Sequence, residues 1–162
     1  MKTAPLLTAL LLNLSGAFAL AQKTGTPALP TPPAPPVSEG ATAIKHVTAA
    51  EAAKNLAEAS AASATAPEKA IAVIDVRTPE EYAAGHIKGA QNVDIGSPDF
   101  QKNLAKLDRT KTYLVHCAAG GRSTRSLTVL GKLGFKSIIH LDGGLNAWKE
   151  AGLPLETTAP VK

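Results

Sequence analysis

The only cysteine of the chain stands in the run His116-Cys117-Ala118-Ala119-Gly120-Gly121-Arg122-Ser123. Small residues, paired glycines, a guanidinium and a hydroxyl around one thiol are the components of an anion-stabilising nucleophile site. Gly120 and Gly121 permit the backbone angles that turn successive N–H groups inward. A helical pattern opens at Ser123 and adds the positive end of a helix dipole. A thiol so placed ionises more easily than a free one and is suited to covalent catalysis. Arg122 offers planar donors to an anionic substrate. Ser123 is expected to cap the helix and to add a hydroxyl donor. With one cysteine no internal disulfide forms, so Cys117 is a free thiol or an intermolecular partner. The competing reading is a buried, inert cysteine, common for this residue type. The flanking Ala-Ala-Gly-Gly-Arg-Ser argues against burial in a core strand.

Other chemistry-bearing residues are more dispersed. Asp75 and Arg77 are read as supports that brace the loop or pair with each other, because a half-buried charge needs a partner. His46, His86, His116 and His140 are scattered, with no close pair at metal-ligand spacing, so neither a metal site nor a cofactor is expected. His86 reads as structural, and Trp148 as a core anchor of the last helix.

The elements that position Cys117 follow from pattern. Ile71 to Val76 is an apolar run of strand length, suited to a parallel sheet covered on both faces. Tyr113 to Cys117 is a second strand and Ser137 to Leu141 a further one, with Ala90 to Asp94 as a short strand. Helices are expected at about 49–59, from Thr78 to before Gly85, from Ser97 to about Leu107, over Ser123 to Leu133, and over Leu145 to Ala151. Thr48 with Glu51 has capping-box spacing, and Thr78-Pro79-Glu80-Glu81 is a strong helix start. Gly134 supplies the cap after the fourth helix. Strands alternating with helices give an α/β fold with a mostly parallel sheet, whose sites form beyond the carboxyl ends of strands. Asp75, Cys117 and Asp142 all stand at such ends.

At 162 residues and 44% hydrophobic, the chain holds one ordinary domain, and 4% aromatics makes its core aliphatic. The net charge is +4, with Lys2 the only charge in the first 21 residues. That mild, spread excess does not argue for nucleic acid, which needs a clustered basic face. Residues 1–21 have the pattern of a signal peptide: a basic start, the apolar run from Leu6, and small residues at Ala19-Leu20-Ala21. The apolar part is shorter than the roughly 20 residues of a membrane span. Cleavage near Ala21 and a periplasmic or secreted product are expected, with no membrane contact afterwards. Residues 22–43 form a Pro-rich spacer, 44–156 the folded domain and 157–162 a tail, frayed from about Glu156. A monomer is expected.

Three stretches resemble the rhodanese domain family. They are Asp75-Val76-Arg77-Thr78-Pro79-Glu80-Glu81-Tyr82 continuing through Gly85-His86-Ile87-Lys88-Gly89-Ala90, then Cys117 to Ser123, then Asp142-Gly143-Gly144-Leu145-Asn146-Ala147-Trp148. The resemblance covers Ile44 to Pro154. It implies a three-layer domain with helices on both faces of the sheet, and a sulfurtransferase. Cys117 would take the outer sulfur of a sulfane donor such as thiosulfate and pass it to a thiophilic acceptor, cyanide or a thiol, or to an acceptor protein. Ala118, Ala119, Gly120, Gly121, Arg122 and Ser123 would bind the substrate. The alternative is a rhodanese module that binds persulfide, senses redox state or docks a partner without turnover. His116-Cys117 also resembles the start of the protein tyrosine phosphatase loop. Only four residues separate Cys117 from Arg122, one fewer than in that loop, and the shorter cradle suits sulfur better than phosphate.

Overall fold

The computed structural model describes residues 42–158. The signal peptide expected over residues 1–21 and the Pro-rich linker up to residue 41 lie outside the described residues.

Five parallel strands carry the domain: β1 (Ala43–Val47), β2 (Ile71–Asp75), β3 (Ala90–Asn92), β4 (Thr112–His116) and β5 (Ser137–Leu141). Their order across the sheet is β1-β5-β4-β2-β3, and every pairing is parallel. The helices are α1 (Ala49–Ser63), α2 (Pro79–Ala83), α3 (Phe100–Ala105), α4 (Gly121–Lys132) and α5 (Gly144–Glu150).

The alternation of side chains along each strand divides the core in two. Ile74, Tyr113, Val115, Cys117 and Ile138 pack with Phe100 and Leu104 of α3 and with Leu127 and Leu130 of α4. Val73, Leu114, Ile139 and Leu141 pack on the other face with Ala49 and Ala52 of α1 and with Leu145 and Trp148 of α5. Strands apolar on both faces therefore end up between two helix layers, the three-layer α/β arrangement expected. The Nε1–H of Trp148 donates to Pro154 O at 3.0 Å, so the anchor keeps a partner for its one donor.

Departures from the sequence reading have local causes. Edge strand β1 was not foreseen, because four of its five residues are exposed and show no core-facing alternation. α1 continues to Ser63, past the expected 59, through the helix formers Ala61 and Ala62, and gives way before Pro67. α3 starts at Phe100 rather than at Ser97, since the Ser97 hydroxyl accepts from Asp99 N–H in a preceding turn. The chain is not frayed from Glu156. His86 and Glu156 exchange two backbone hydrogen bonds of 2.9 Å, and Thr158 N–H donates to Ala83 O.

Candidate active site

β4 ends at His116 and α4 begins at Gly121, so the loop between them is only Cys117 to Gly120. Gly120, with φ 97°, makes the left-handed turn into the helix. The turn aims Gly120 N–H at Cys117 Sγ, 3.1 Å away. The Ser123 hydroxyl lies 3.5 Å from the same sulfur. α4 starts two residues earlier than expected, so Ser123 sits buried in its first turn rather than capping it. Its Oγ is 2.8 Å from Gly120 O and 2.9 Å from His140 Nε2.

A second element fixes the outward side of the loop. After β5, Asp142-Gly143-Gly144 turns into α5, whose first N–H groups face the loop carbonyls. Leu145 N–H donates to Cys117 O at 2.8 Å and Asn146 N–H to Ala118 O at 2.9 Å. With the Ala118 carbonyl held outward by α5, the Ala119 N–H on the opposite edge of that peptide is left to face the sulfur.

Cys117 is only 2% exposed, so the expectation that its small-residue flanks keep it out of the core is not met. The cause is the strand: residue 117 continues the alternation of Tyr113 and Val115 on the face that α3 and α4 cover. Burial alone pushes the Cys117 thiol up. The Ser123 hydroxyl and the N–H groups of Ser123, Ala119 and Gly120 outweigh it and hold the thiol below its ordinary value. The midpoint of its pH-dependent alkylation by iodoacetamide should therefore lie below that of a model thiol. Ser123→Ala should raise that midpoint. An unchanged midpoint in the variant would show that the hydroxyl does not hold the thiolate. Burial slows the absolute rate and leaves the midpoint as the readout.

Arg122 is not free to face the sulfur. Its Nη1 and Nη2 donate to Glu81 at 2.6 and 2.7 Å, a bidentate pair across 41 residues of sequence. Glu81 also accepts from Thr78 N–H and so completes the α2 capping box. Sequence reading placed Glu81 only as a helix-start acid; the second partner gives no local signal. The hydrogen bonds from Arg122 pull Glu81 from the usual 4.5 down to about 2. A carboxylate lowered in the folded state stabilises the fold above its unfolded value and loses that contribution as pH falls. The loss should run from about pH 4.5 down to about 2. With a third of each side chain exposed, its amplitude is on the order of 1 kcal/mol. Urea midpoints against pH should show this acid loss in the parent and a smaller one in Glu81→Gln. Parallel curves would mean the pair contributes nothing.

Asp75 and Arg77 pair with each other, not with the loop. Arg77 Nη2 donates to Asp75 Oδ2 at 2.6 Å and to Gly85 O at 2.7 Å, and both side chains are buried. Asn92 Nδ2 ties the carbonyls of Asp75 and Arg77 to β3. The pair thus braces the turn that carries α2, and through α2 it places Glu81 and Arg122. His86 is structural: its Nδ1 meets Tyr82 O at 2.9 Å, and its ring stacks on Tyr82. His116 is fully buried with Nε2 unpartnered, 3.9 Å from Asp75 Oδ2. Burial pushes its pKa down against the pull of Asp75 and favours the neutral ring, so the two form no ion pair.

An open depression lined by Thr78, Asp94, Ile95, Gly96, Arg122 and Arg125 lies on the α2 side of the loop. Arg125, which makes no ion pair among the described residues, was missed because it lies outside the loop pattern. A mostly apolar cavity of about 520 Å³ lies elsewhere, under α1 and Trp148, and contains none of the loop residues. The premise of scattered histidines also fails. Parallel pairing of β1 with β5 sets His46 opposite His140, although 94 residues separate them.

A family model described as Rhodanese-like domain matches residues 48–151. The probable adenylyltransferase/sulfurtransferase MoeZ of Mycobacterium tuberculosis is 38% identical over 84 residues, 52% of this chain but 21% of that protein. The chain thus spans about a fifth of that relative's length. The thiosulfate sulfurtransferase GlpE of Pseudomonas entomophila is 39% identical over 91 residues, 51% of this chain and 81% of that protein. Among solved structures, a rhodanese-related protein from Thermoplasma volcanium superposes with a TM-score of 0.57 at 31% identity, covering 69% of this chain and 97% of that one. A rhodanese-like domain protein from Staphylococcus aureus gives 0.56 at 28%, covering 71% and 99%.

Proposed function

The chain belongs to the rhodanese-like domain family, and from that premise we propose that it is a sulfurtransferase carrying sulfane sulfur on Cys117. The observation that carries the reading is the position of Cys117 Sγ, 3.1 Å from Gly120 N–H at the start of α4.

The reaction needs an anionic sulfur at every stage. The Cys117 thiolate attacks the outer sulfur of thiosulfate. The S–S bond of the donor breaks, sulfite leaves with the electron pair, and Cys117 becomes a persulfide anion. Cyanide or a thiolate then attacks the terminal sulfur, the new S–S bond breaks, and the thiolate returns. No net oxidation and no cofactor enter the cycle. Thiolate and persulfide carry the same charge, so donors preorganised around one serve the other. Neutral N–H groups hold a negative sulfur without neutralising it, which preserves its nucleophilicity. The N–H groups of Arg122 that Glu81 leaves over, together with Arg125, give the depression beside the loop an attraction for an anionic donor.

Steady-state thiocyanate production from thiosulfate and cyanide tests the reading. Sustained turnover supports it. The burial of Cys117 favours one rival, a module that binds sulfur or senses its redox state without turnover. That rival gives a single slow turnover. We also propose export with cleavage near Ala21, on the leader pattern alone; the mass of the mature N-terminus checks it. A monomer is proposed on size, with sedimentation as its check.

A further inference from the structure

Three side chains outside the sulfur site converge at the carboxyl end of the sheet. The β1–β5 register places His46 against His140, and Asp142 follows His140 by two residues on the same side of the strand. His46 Nδ1 lies 3.2 Å from His140 Nδ1, and Asp142 Oδ1 lies 3.0 Å from each. One atom from each residue thus forms a triangle with edges of 3.0 to 3.2 Å.

That triangle has the dimensions of one face of a coordination shell. With metal–ligand distances of about 2.0–2.1 Å, donor atoms stand about 3.3 Å apart in a tetrahedral site and about 2.9 Å apart at the cis positions of an octahedral one. The ring centroids stand 4.8 Å apart but the two Nδ1 atoms only 3.2 Å, so both nitrogens lie on the edges that face each other. Two imidazoles and one carboxylate are the ligand set of borderline divalent transition metals, not of calcium or magnesium.

The outer contacts fit as well. His140 is buried, and its Nε2 is 2.9 Å from Ser123 Oγ. Ser123 Oγ can accept from Nε2–H whichever neighbour takes its own hydrogen, Gly120 O at 2.8 Å or Cys117 Sγ at 3.5 Å. That arrangement leaves the Nδ1 lone pair directed at His46 and Asp142, and fixes ring and tautomer as an outer-shell partner does for a ligating histidine. His46 and Asp142 are each 54% exposed by side chain, which gives an ion a path in and leaves its remaining positions to water. We propose that His46 Nδ1, His140 Nδ1 and Asp142 Oδ1 bind one divalent transition-metal ion of the zinc, cobalt or nickel class.

The test uses untagged full-length chain carrying Cys117→Ser, so that the thiol cannot serve as a ligand. Calorimetric titration with zinc chloride should show one ion bound per chain at micromolar concentration. His46→Ala and Asp142→Asn, at half-exposed positions, should each weaken binding at least tenfold. Cobalt(II) should give visible d–d bands with no thiolate charge-transfer band. Absence of saturable binding overturns the proposal, and so does binding of unchanged tightness in both variants.

Discussion

Cys117→Ser is expected to lower thiocyanate production by at least about 10³-fold while the domain keeps its fold. A hydroxyl is not ionised near neutral pH, so the donors that favour a thiolate have no anion to hold. The substitution is nearly isosteric. Gly120 N–H and the Ser123 hydroxyl, which face Sγ at 3.1 and 3.5 Å, keep an oxygen to face. The stability change should therefore stay within about 1 kcal/mol. A core cysteine without a catalytic role would give the reverse pattern, with activity retained and stability altered. Turnover measured beside the thermal midpoint separates the two outcomes.

Gly144→Ala is expected to damage both stability and activity. A Cβ at this position would lie 2.5 Å from Cys117 O and 2.8 Å from the carbonyl carbon and oxygen of Ala118. Those neighbours are backbone and cannot rotate away. The residue also has φ +58°, where an L side chain is strained. Relief requires α5 to move off the loop, which weakens the Leu145 and Asn146 hydrogen bonds to Cys117 O and Ala118 O. Strain and clash together should cost about 3 kcal/mol or more. A loop displaced by about 1 Å should lose on the order of 10²-fold in turnover. Gly152→Ala separates the causes. Its φ is +68°, but nothing lies within 4 Å of the added Cβ. It should cost about 1 kcal/mol and leave turnover unchanged. Equal behaviour of the two variants would remove the clamp from the account.

Local chemistry made the loop legible. One thiol, two glycines and a following helix stand in one unbroken run, and their roles depend on near neighbours. The capping box at Thr48 and the helix start at Thr78 were readable for the same reason. The apolar run of β2 announced a strand covered on both faces and those of β4 and β5 announced strands, whereas exposed β1 announced nothing. The features missed were made by the fold. Arg122 meets Glu81 across 41 residues, and His46 meets His140 across 94. The burial of Cys117 follows from its place at the end of a central strand covered by helices on both faces, which the loop composition does not encode. Nothing local to Gly144 shows its need for a bare Cα, which comes from the β4–α4 loop packed against it.

The central claim is that Cys117 takes up one sulfur atom as a persulfide. Intact mass spectrometry after incubation with thiosulfate, followed by peptide mapping, addresses it directly. The parent chain should gain one sulfur atom, located on the peptide bearing Cys117 and removed by cyanide, and Cys117→Ser should gain none. An unmodified parent chain with several sulfane donors, or an adduct that persists in the serine variant, would contradict it.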